Sequence, residues 1–349
     1  MRIALVHTRL LLRGGLETRL FSYMRYLRDL GHEVTVIVYK VGQGAEVEPG
    51  VKLLRVPMRW VPKPFRAWVF DRKLKKVLAD GNFDFVLSLG RTTHHDAVIV
   101  AGVHRAFNAA MGRGMWRPSD WIQAYMDERC YRSPGWMLPA SEMIAQQMTA
   151  FHHVETSRIK VLYPPTNPRR FHRGLKANRD DLREKHGMAK DKFTFLFISS
   201  NHMLKGLDVV MDAFAMLPDG VAELVVVGHQ DLPRAQAGVR SIGFLKETEE
   251  LYAAADCSLL ASRYDAFGQV VTESLLCGTP VIVSAMTGAK VIVKAQDGIV
   301  VDSMNPSEWA EAMRIIMAGG YPVREGLAES EGLGFEAHMD RILELARRD

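Results

Sequence analysis

Long apolar runs are missing from this sequence of 349 residues. No stretch approaches the ~20 apolar residues that a helix needs to cross a bilayer, and the start MRIALVH enters a strand directly, without the pattern of a secretory leader. A cytoplasmic protein is the expectation. Cysteine is scarce: Cys130, Cys257 and Cys277 are odd in number, far apart and set among apolar residues, which fits buried reduced thiols better than a disulfide frame. Neither GxGxxG nor GxxxxGK[ST] occurs, which counts against nicotinamide and ATP chemistry. No His/Cys cluster has zinc or iron spacing and no DxD pair is present, so neither a metal nor another cofactor is expected.

What is there is ordinary in bulk and uneven in charge. At 48% hydrophobic and 24% charged the chain is globular in composition, and its length suggests two domains. The net charge of +5 divides sharply: residues 1–170 carry 26 Lys+Arg against 14 Asp+Glu, or +12, and residues 171–349 carry 19 against 26, or −7. Two halves of opposite sign suit different partners. The basic residues crowd into Arg59, Lys63, Arg66, Arg72, Lys73, Lys75 and Lys76, interleaved with Trp60, Phe65, Trp68 and Phe70. Such a stretch suits an anionic membrane surface or acceptor, with a solvated helix face as the plain alternative.

The first half alternates strands and helices. RIALVH (2–7) and EVTVIVY (33–39) flank a helical pattern from Glu17 to Leu30 that Gly31 can end, a βαβ unit and hence a parallel sheet. Further strands are predicted at 83–89, 96–102, 136–141 and 159–165. A Pro-rich, charged connection runs from Pro164 to about Lys190. The pattern then restarts with strands at 193–199, 222–228, 239–245, 257–262 and 280–285, and with helices from Lys205 to Met216 and from Phe267 to Cys277. Continuous apolar strands are those of parallel sheets covered on both faces. The expected architecture is α/β, two doubly wound Rossmann-like domains with parallel sheets facing a cleft. Their predicted spans are 1–165 and 166–325, with a C-terminal helix in 326–349 packing back on the first domain.

Ligands in such sheets sit beyond the carboxyl ends of the strands, and three constellations lie there. Arg13-Gly14-Gly15-Leu16-Glu17 opens the first helix, where backbone N–H groups can meet a phosphate; a bare Gly-Gly is equally a tight turn. Ser199 to Gly206 follows the first strand of the second half and places Lys205 at a helix start, where the helix dipole disfavours a cation unless an anion is bound; a solvated lysine is the plain alternative. Asp265-Ala-Phe267-Gly268-Gln269-Val270 leads into a helix bearing Glu273. Its backbone can face a phosphate and Glu273 can accept from a diol, whereas Asp265 as a helix cap and Glu273 as a surface carboxylate are the structural alternatives.

D-x-F-G-x-V-x-x-E followed by G-x-P-V-I resembles the E-x7-E signature of retaining nucleotide-sugar glycosyltransferases of the fourth sequence family, which have the GT-B fold. The early Gly-Gly-x-Glu, Lys205-Gly206, the Gly243-Phe244 turn and the ELYAAAD helix follow that family's order, so the resemblance spans nearly the whole chain. Within the family the sequence is most similar to bacterial lipopolysaccharide core glucosyltransferases. The resemblance implies that Lys205 neutralises the donor diphosphate and that Glu273 holds the ribose. It further implies that Phe267, Gly268 and Gln269 present backbone groups to diphosphate and sugar, and that Gly14 and Gly15 close on the donor. Asn201, Phe244 and Val270 complete the expected donor set. Two departures stand out: Asp265 replaces the first Glu, and Ser199 stands where many members carry an arginine.

The resemblance also places a functional histidine at His104, so the expected catalytic set is Lys205, Asp265 and His104. His7 is a weaker candidate, and His94 and His95 read as loop polar groups. The expected activity is metal-independent, retaining transfer of a hexose from a nucleotide diphosphate sugar, UDP-linked by the resemblance, to a lipopolysaccharide core or other membrane-linked saccharide. It would take place at the inner face of the cytoplasmic membrane, with no nucleic acid partner. With no obvious carboxylate nucleophile, front-face attack is favoured over a covalent intermediate. A sugar-nucleotide epimerase of the same fold and a catalytically weak sugar-nucleotide-binding protein are the rival readings.

Overall fold

Two six-stranded parallel sheets organise the chain in the computed structural model, which describes residues 1–12, 15–228 and 231–347. The first contains β1 (Arg2–Val6), β2 (Glu33–Val38), β3 (Lys52–Arg55), β4 (Phe85–Ser88), β5 (Ala97–Val100) and β6 (Trp136–Pro139), in the order β3-β2-β1-β4-β5-β6. The second contains β7 (Phe193–Ile198), β8 (Ala222–Val227), β9 (Val239–Ser241), β10 (Cys257–Leu260), β11 (Val281–Ser284) and β12 (Gly298–Val301), in the order β9-β8-β7-β10-β11-β12. Each therefore has the doubly wound order, which reverses beside its first strand and opens a crevice there. Chain contacts divide the molecule into two units, Met1–Leu162 with Met339–Asp349, and Tyr163–His338. The division falls at Leu162/Tyr163 rather than 165/166, and the return to the first unit begins at Met339 rather than 326.

The central strands are buried throughout, as their continuous apolar runs require. Glu223 in β8 is the charged exception in these strands, and it is satisfied by Thr194 Oγ1 at 2.8 Å and by the Ala189 N–H at 2.9 Å. In the second unit, Trp309 on the helix Pro306–Met317 is fully buried in the core that also holds Phe195, Phe197 and the helix Leu207–Phe214.

The structure corrects the sequence reading in four places. Residues 159–165 form no strand: Ile159 makes one bridge to Met137, and Pro164 and Pro165 then offer no N–H for pairing. The expected 239–245 strand stops at Ser241, because Gly243 turns the chain with φ +73°. The presumed connection 164–190 carries the helix Arg179–Lys185 and buries Phe171, so it belongs to the second unit. The sequence reading also left β3, β12 and the long helix Arg66–Gly81 unassigned.

Candidate functional site

In the second unit the strand order reverses between β7 and β10, and the loops that leave these two strands carry the candidate residues. Lys205 Nζ donates to Asp265 Oδ2 in a short ion pair, with side-chain exposures of only 21% and 14%. Each residue is held by its own loop. Asn201 Oδ1 accepts from the Leu204 N–H at 3.1 Å and the Asn201 carbonyl from the Lys205 N–H at 3.0 Å. Asp265 Oδ1 accepts from the Phe267 N–H at 3.3 Å, while its backbone bridges Thr287.

Both loops end in a left-handed glycine that starts a helix without a side-chain cap. Gly206 (φ +74°) precedes Leu207–Phe214, and Gly268 (φ +90°) precedes Gln269–Leu276. A Cβ on Gly206 would lie 2.0 Å from the Ala261 carbonyl oxygen, and one on Gly268 would lie 2.7 Å from Thr287 Cγ2. Only glycine fits either place. Two helix N-termini with no side-chain cap and one lysine thus occur in the two loops that leave the switch point, a combination suited to a polyanion. Asp265 is not a helix cap: Gly268 is the N-cap residue.

Glu273, one turn into the second of these helices, is not a surface carboxylate. Burial pushes its carboxyl above the usual range, and Tyr252 Oη donates to it at 2.8 Å. Tyr252 is fully buried with its ring edge-on to Phe171, so the carboxylate is held rigidly. The sequence contained this tyrosine in ELYAAA but gave no sign of its partner. Arg263 was missed as well: it pairs with both oxygens of Asp208 at 2.7 and 3.0 Å and donates to the Met203 carbonyl at 2.9 Å, which ties the Lys205 loop to the Asp265 loop. Ser199 is buried and accepts from the Asn201 N–H, so it shapes the loop and adds no charge.

The remaining members of the donor set differ in their surroundings. Phe267 is buried, with its ring 5.4 Å from that of Tyr163. Gln269 donates to the Pro165 carbonyl at 3.2 Å, and Val270 packs partly buried beside Tyr252. Phe244 is 56% exposed after the Gly243 turn. Gly15 begins the helix Gly15–Asp29 of the first unit, while Gly14 and Arg13 lie outside the described residues.

In the first unit His104 starts the helix His104–Ala110. Its Nε2 lies 3.1 Å from Asp120 Oδ1 and 3.2 Å from Asn108 Nδ2, and its N–H donates to Asp127 at 2.9 Å. Asp127 is fully buried and also pairs with Arg91, while buried Asp71 accepts from Thr93 N and Oγ1. The loop after β4 is thereby pinned by two buried carboxylates. His7 sits between the Leu89 carbonyl, 3.0 Å from Nδ1, and Glu17 at 3.8 Å; burial lowers its pKa. His95 lies in the loop before β5, as its sequence position implies, and is buried there against Thr92 and Ser133, which lowers its pKa to about 4.

The basic stretch is part helix and part loop. Trp60 is 96% exposed in a left-handed conformation (φ +67°), and Arg59, Lys63, Arg72, Lys73, Lys75 and Lys76 are exposed while Arg66 is partly buried. Arg72 lies over the Trp68 ring, Arg66 donates to the Val61 carbonyl and Lys73 to the Pro57 carbonyl. All three cysteines are buried and free. Among the described residues no helix is long and apolar enough to cross a membrane, and no group of three or more His, Cys, Asp or Glu could hold a metal ion.

Residues 13–170 match the family model described as Glycosyltransferase Family 4, and residues 178–330 the one described as Glycosyl transferases group 1. A Burkholderia thailandensis protein named Probable transglycosylase is 29% identical over 346 residues, which covers 95% of this chain and 93% of that protein. The D-inositol 3-phosphate glycosyltransferase of Xylanimonas cellulosilytica is 25% identical over 354 residues, covering 87% of this chain and 84% of that one. Among solved structures, WaaG, a glycosyltransferase involved in lipopolysaccharide biosynthesis, superposes with TM-score 0.78 at 20% identity, covering 99% of this chain and 98% of its own. Anabaena Alr3699/HepE in complex with UDP-glucose gives 0.72 at 14% identity, covering 99% and 98%.

Proposed function

From its place among the glycosyltransferases, where a Glycosyltransferase Family 4 domain precedes a group 1 domain, we propose that this chain transfers a hexose from a UDP-linked donor, with retention, to a membrane-linked saccharide such as a lipopolysaccharide core. The observation that carries the donor half is the Lys205–Asp265 pair at the switch point of the second sheet, where two helices start without side-chain caps. The names of WaaG and of the UDP-glucose complex of HepE support the choice of acceptor and donor.

The chemistry follows from these groups. The acceptor hydroxyl oxygen bonds to the anomeric carbon as the bond from that carbon to the diphosphate breaks. The hydroxyl proton passes to an oxygen of the leaving diphosphate. Negative charge grows on that diphosphate, so pre-set donors aimed at it lower the barrier. Lys205 and the N-terminal turns that begin at Gly206 and Gly268 supply them, without a metal or other cofactor. Glu273 accepts from the ribose hydroxyls, and its hydrogen bond from Tyr252 fixes the direction of its oxygens. Asp265 holds Lys205 in place and accepts from hydroxyls of the donor sugar, with one methylene less reach than a glutamate. His104, set by Asp120 and Asn108, serves the acceptor side.

A thermal-shift panel of nucleotide sugars followed by product mass spectrometry tests the proposal. Stabilisation by one UDP-sugar, slow UDP release and a new glycosidic product with a lipid-saccharide extract are expected. A changed sugar still attached to nucleotide would instead identify an epimerase, and binding without turnover a binding protein.

A further inference from the structure

The first unit carries a recess that the donor chemistry does not use. Between the helices His104–Ala110 and Pro118–Arg132, the loop 111–117 borders an open recess of about 510 Å³ lined by Asn108, Arg113, Trp116, Arg117 and Asp120 with two glycines. That size suits a mono- or disaccharide.

The loop is built rather than loose. The N–H groups of Met111, Gly112 and Arg113 bond back to the carbonyls of Phe107, Ala109 and Asn108 at 2.8–3.0 Å, and Gly112 takes φ +61°. A Cβ at Gly114 would lie 2.1 Å from the Trp116 indole nitrogen, so the glycine leaves room for a ring that is itself 88% exposed.

The charges in the pocket are unequal in their commitments. Asp120 is already engaged by the Arg117 N–H at 3.2 Å and by His104 at 3.1 Å. Against a desolvation penalty, these contacts hold its carboxyl below the usual range. Arg113 and Arg117 make no ion pair with any described residue. Asn108, buried at 5%, points its amide nitrogen toward His104 Nε2 and Met115 Sδ. Two uncommitted guanidinium forks match a phosphate or carboxylate, and an exposed indole face matches the C–H face of a pyranose.

We propose that this pocket recognises the acceptor through an anionic sugar, bearing phosphate or carboxylate, with Arg113 and Arg117 on the anion and Trp116 on the ring. Its link to transfer is direct, since Asn108 and Asp120 line the pocket and their side chains also contact His104 Nε2. The proposal rests on the transferase reading above for the meaning of the bound sugar.

The test is titration of the full chain at low salt with glucose 6-phosphate, glucuronate, glucose and inorganic phosphate, with UDP titrated in parallel. At least one of the two anionic sugars is expected to bind tenfold or more tightly than both glucose and inorganic phosphate, and which of them does so identifies the anion. The Arg113→Ala/Arg117→Ala double variant should lose about tenfold or more of that affinity and Trp116→Ala a lesser part, while UDP binding stays unchanged. Anionic sugars binding no better than glucose or inorganic phosphate, or as well to the double variant as to the original chain, would overturn the proposal. Loss of UDP binding by the unaltered chain would sink the donor reading and leave the pocket standing.

Discussion

Lys205 and Asp265, 60 residues apart in the chain, meet as an ion pair across the point where the second sheet reverses its strand order. Neither loop alone could set that geometry. Lys205→Ala should leave a folded protein, since the side chain is partly exposed, and should lower kcat by at least about a hundredfold, the scale expected for removing one preset charge from a developing anion. Steady-state kinetics with circular dichroism checks this, and near-normal turnover in the folded variant would remove Lys205 from the site.

Asp265 separates two roles that a sequence leaves open. If it served only to order the loop, Asp265→Asn would be almost silent, because an amide oxygen still accepts from the Phe267 N–H. As the partner of Lys205 it should not be silent. A fall in kcat of about tenfold, or about 1.4 kcal/mol of transition-state stabilisation, is expected with stability nearly unchanged. The check is kcat measured beside a denaturation midpoint.

Glu273 should trade stability against affinity. Its raised carboxyl pKa means the folded state prefers the protonated form. The stability this group contributes is present below its ordinary pKa and is lost as pH rises through the raised value. Glu273→Gln still accepts from Tyr252 and has no charge to bury. At neutral pH the variant should therefore be at least as stable as the original, with the difference shrinking in acid, while donor affinity drops about tenfold. Isothermal titration with the donor and urea unfolding at two pH values measure both.

The parallel sheets, the switch point and the Lys205 and Asp265 loops were legible because continuous apolar strands and Gly-rich strand-to-helix turns leave local marks. What sequence could not supply was commitment between distant residues. Tyr252 holding Glu273, Arg263 tying Asp208 to the Met203 carbonyl, and Asp127 joining Arg91 to the His104 backbone are all pairings of long sequence separation. The burial of His95 within its loop was hidden for the same reason: nothing in THHD says that Ser133 will cover it. The local alternative for Asp265, a helix cap, could be set aside only once Gly268 was seen at the N-cap position.

His95 should make the first unit acid-sensitive. Its pKa is lowered to about 4, first by burial and then by the charge of Arg158. The unfolded chain gains this proton near pH 6.5 and the folded chain only near about 4, so stability is complete above about 6.5 and is lost as pH falls through that window. The loss can reach about 3 kcal/mol at one pKa unit per 1.36 kcal/mol. His95→Gln should flatten the decline, seen as a smaller change in urea midpoint between pH 7 and pH 4.5.

The exposed Trp60 and the bases from Arg59 to Lys76 should bind anionic vesicles at low salt and release them as salt rises. Changing Arg72, Lys73, Lys75 and Lys76 to Ser should reduce co-sedimentation and transfer to a lipid-linked acceptor together. Equal sedimentation with neutral vesicles would leave the stretch as ordinary surface.

The most direct test of the account is UDP release from UDP-sugars, followed with the original chain and with Lys205→Ala in the presence of a membrane saccharide extract. The account requires that one UDP-sugar be consumed, that its sugar appear on the acceptor with its anomeric configuration kept, and that both events collapse in the folded Lys205→Ala protein. UDP-sugar turnover that is indifferent to Lys205, or a transferred sugar of inverted configuration, would contradict it.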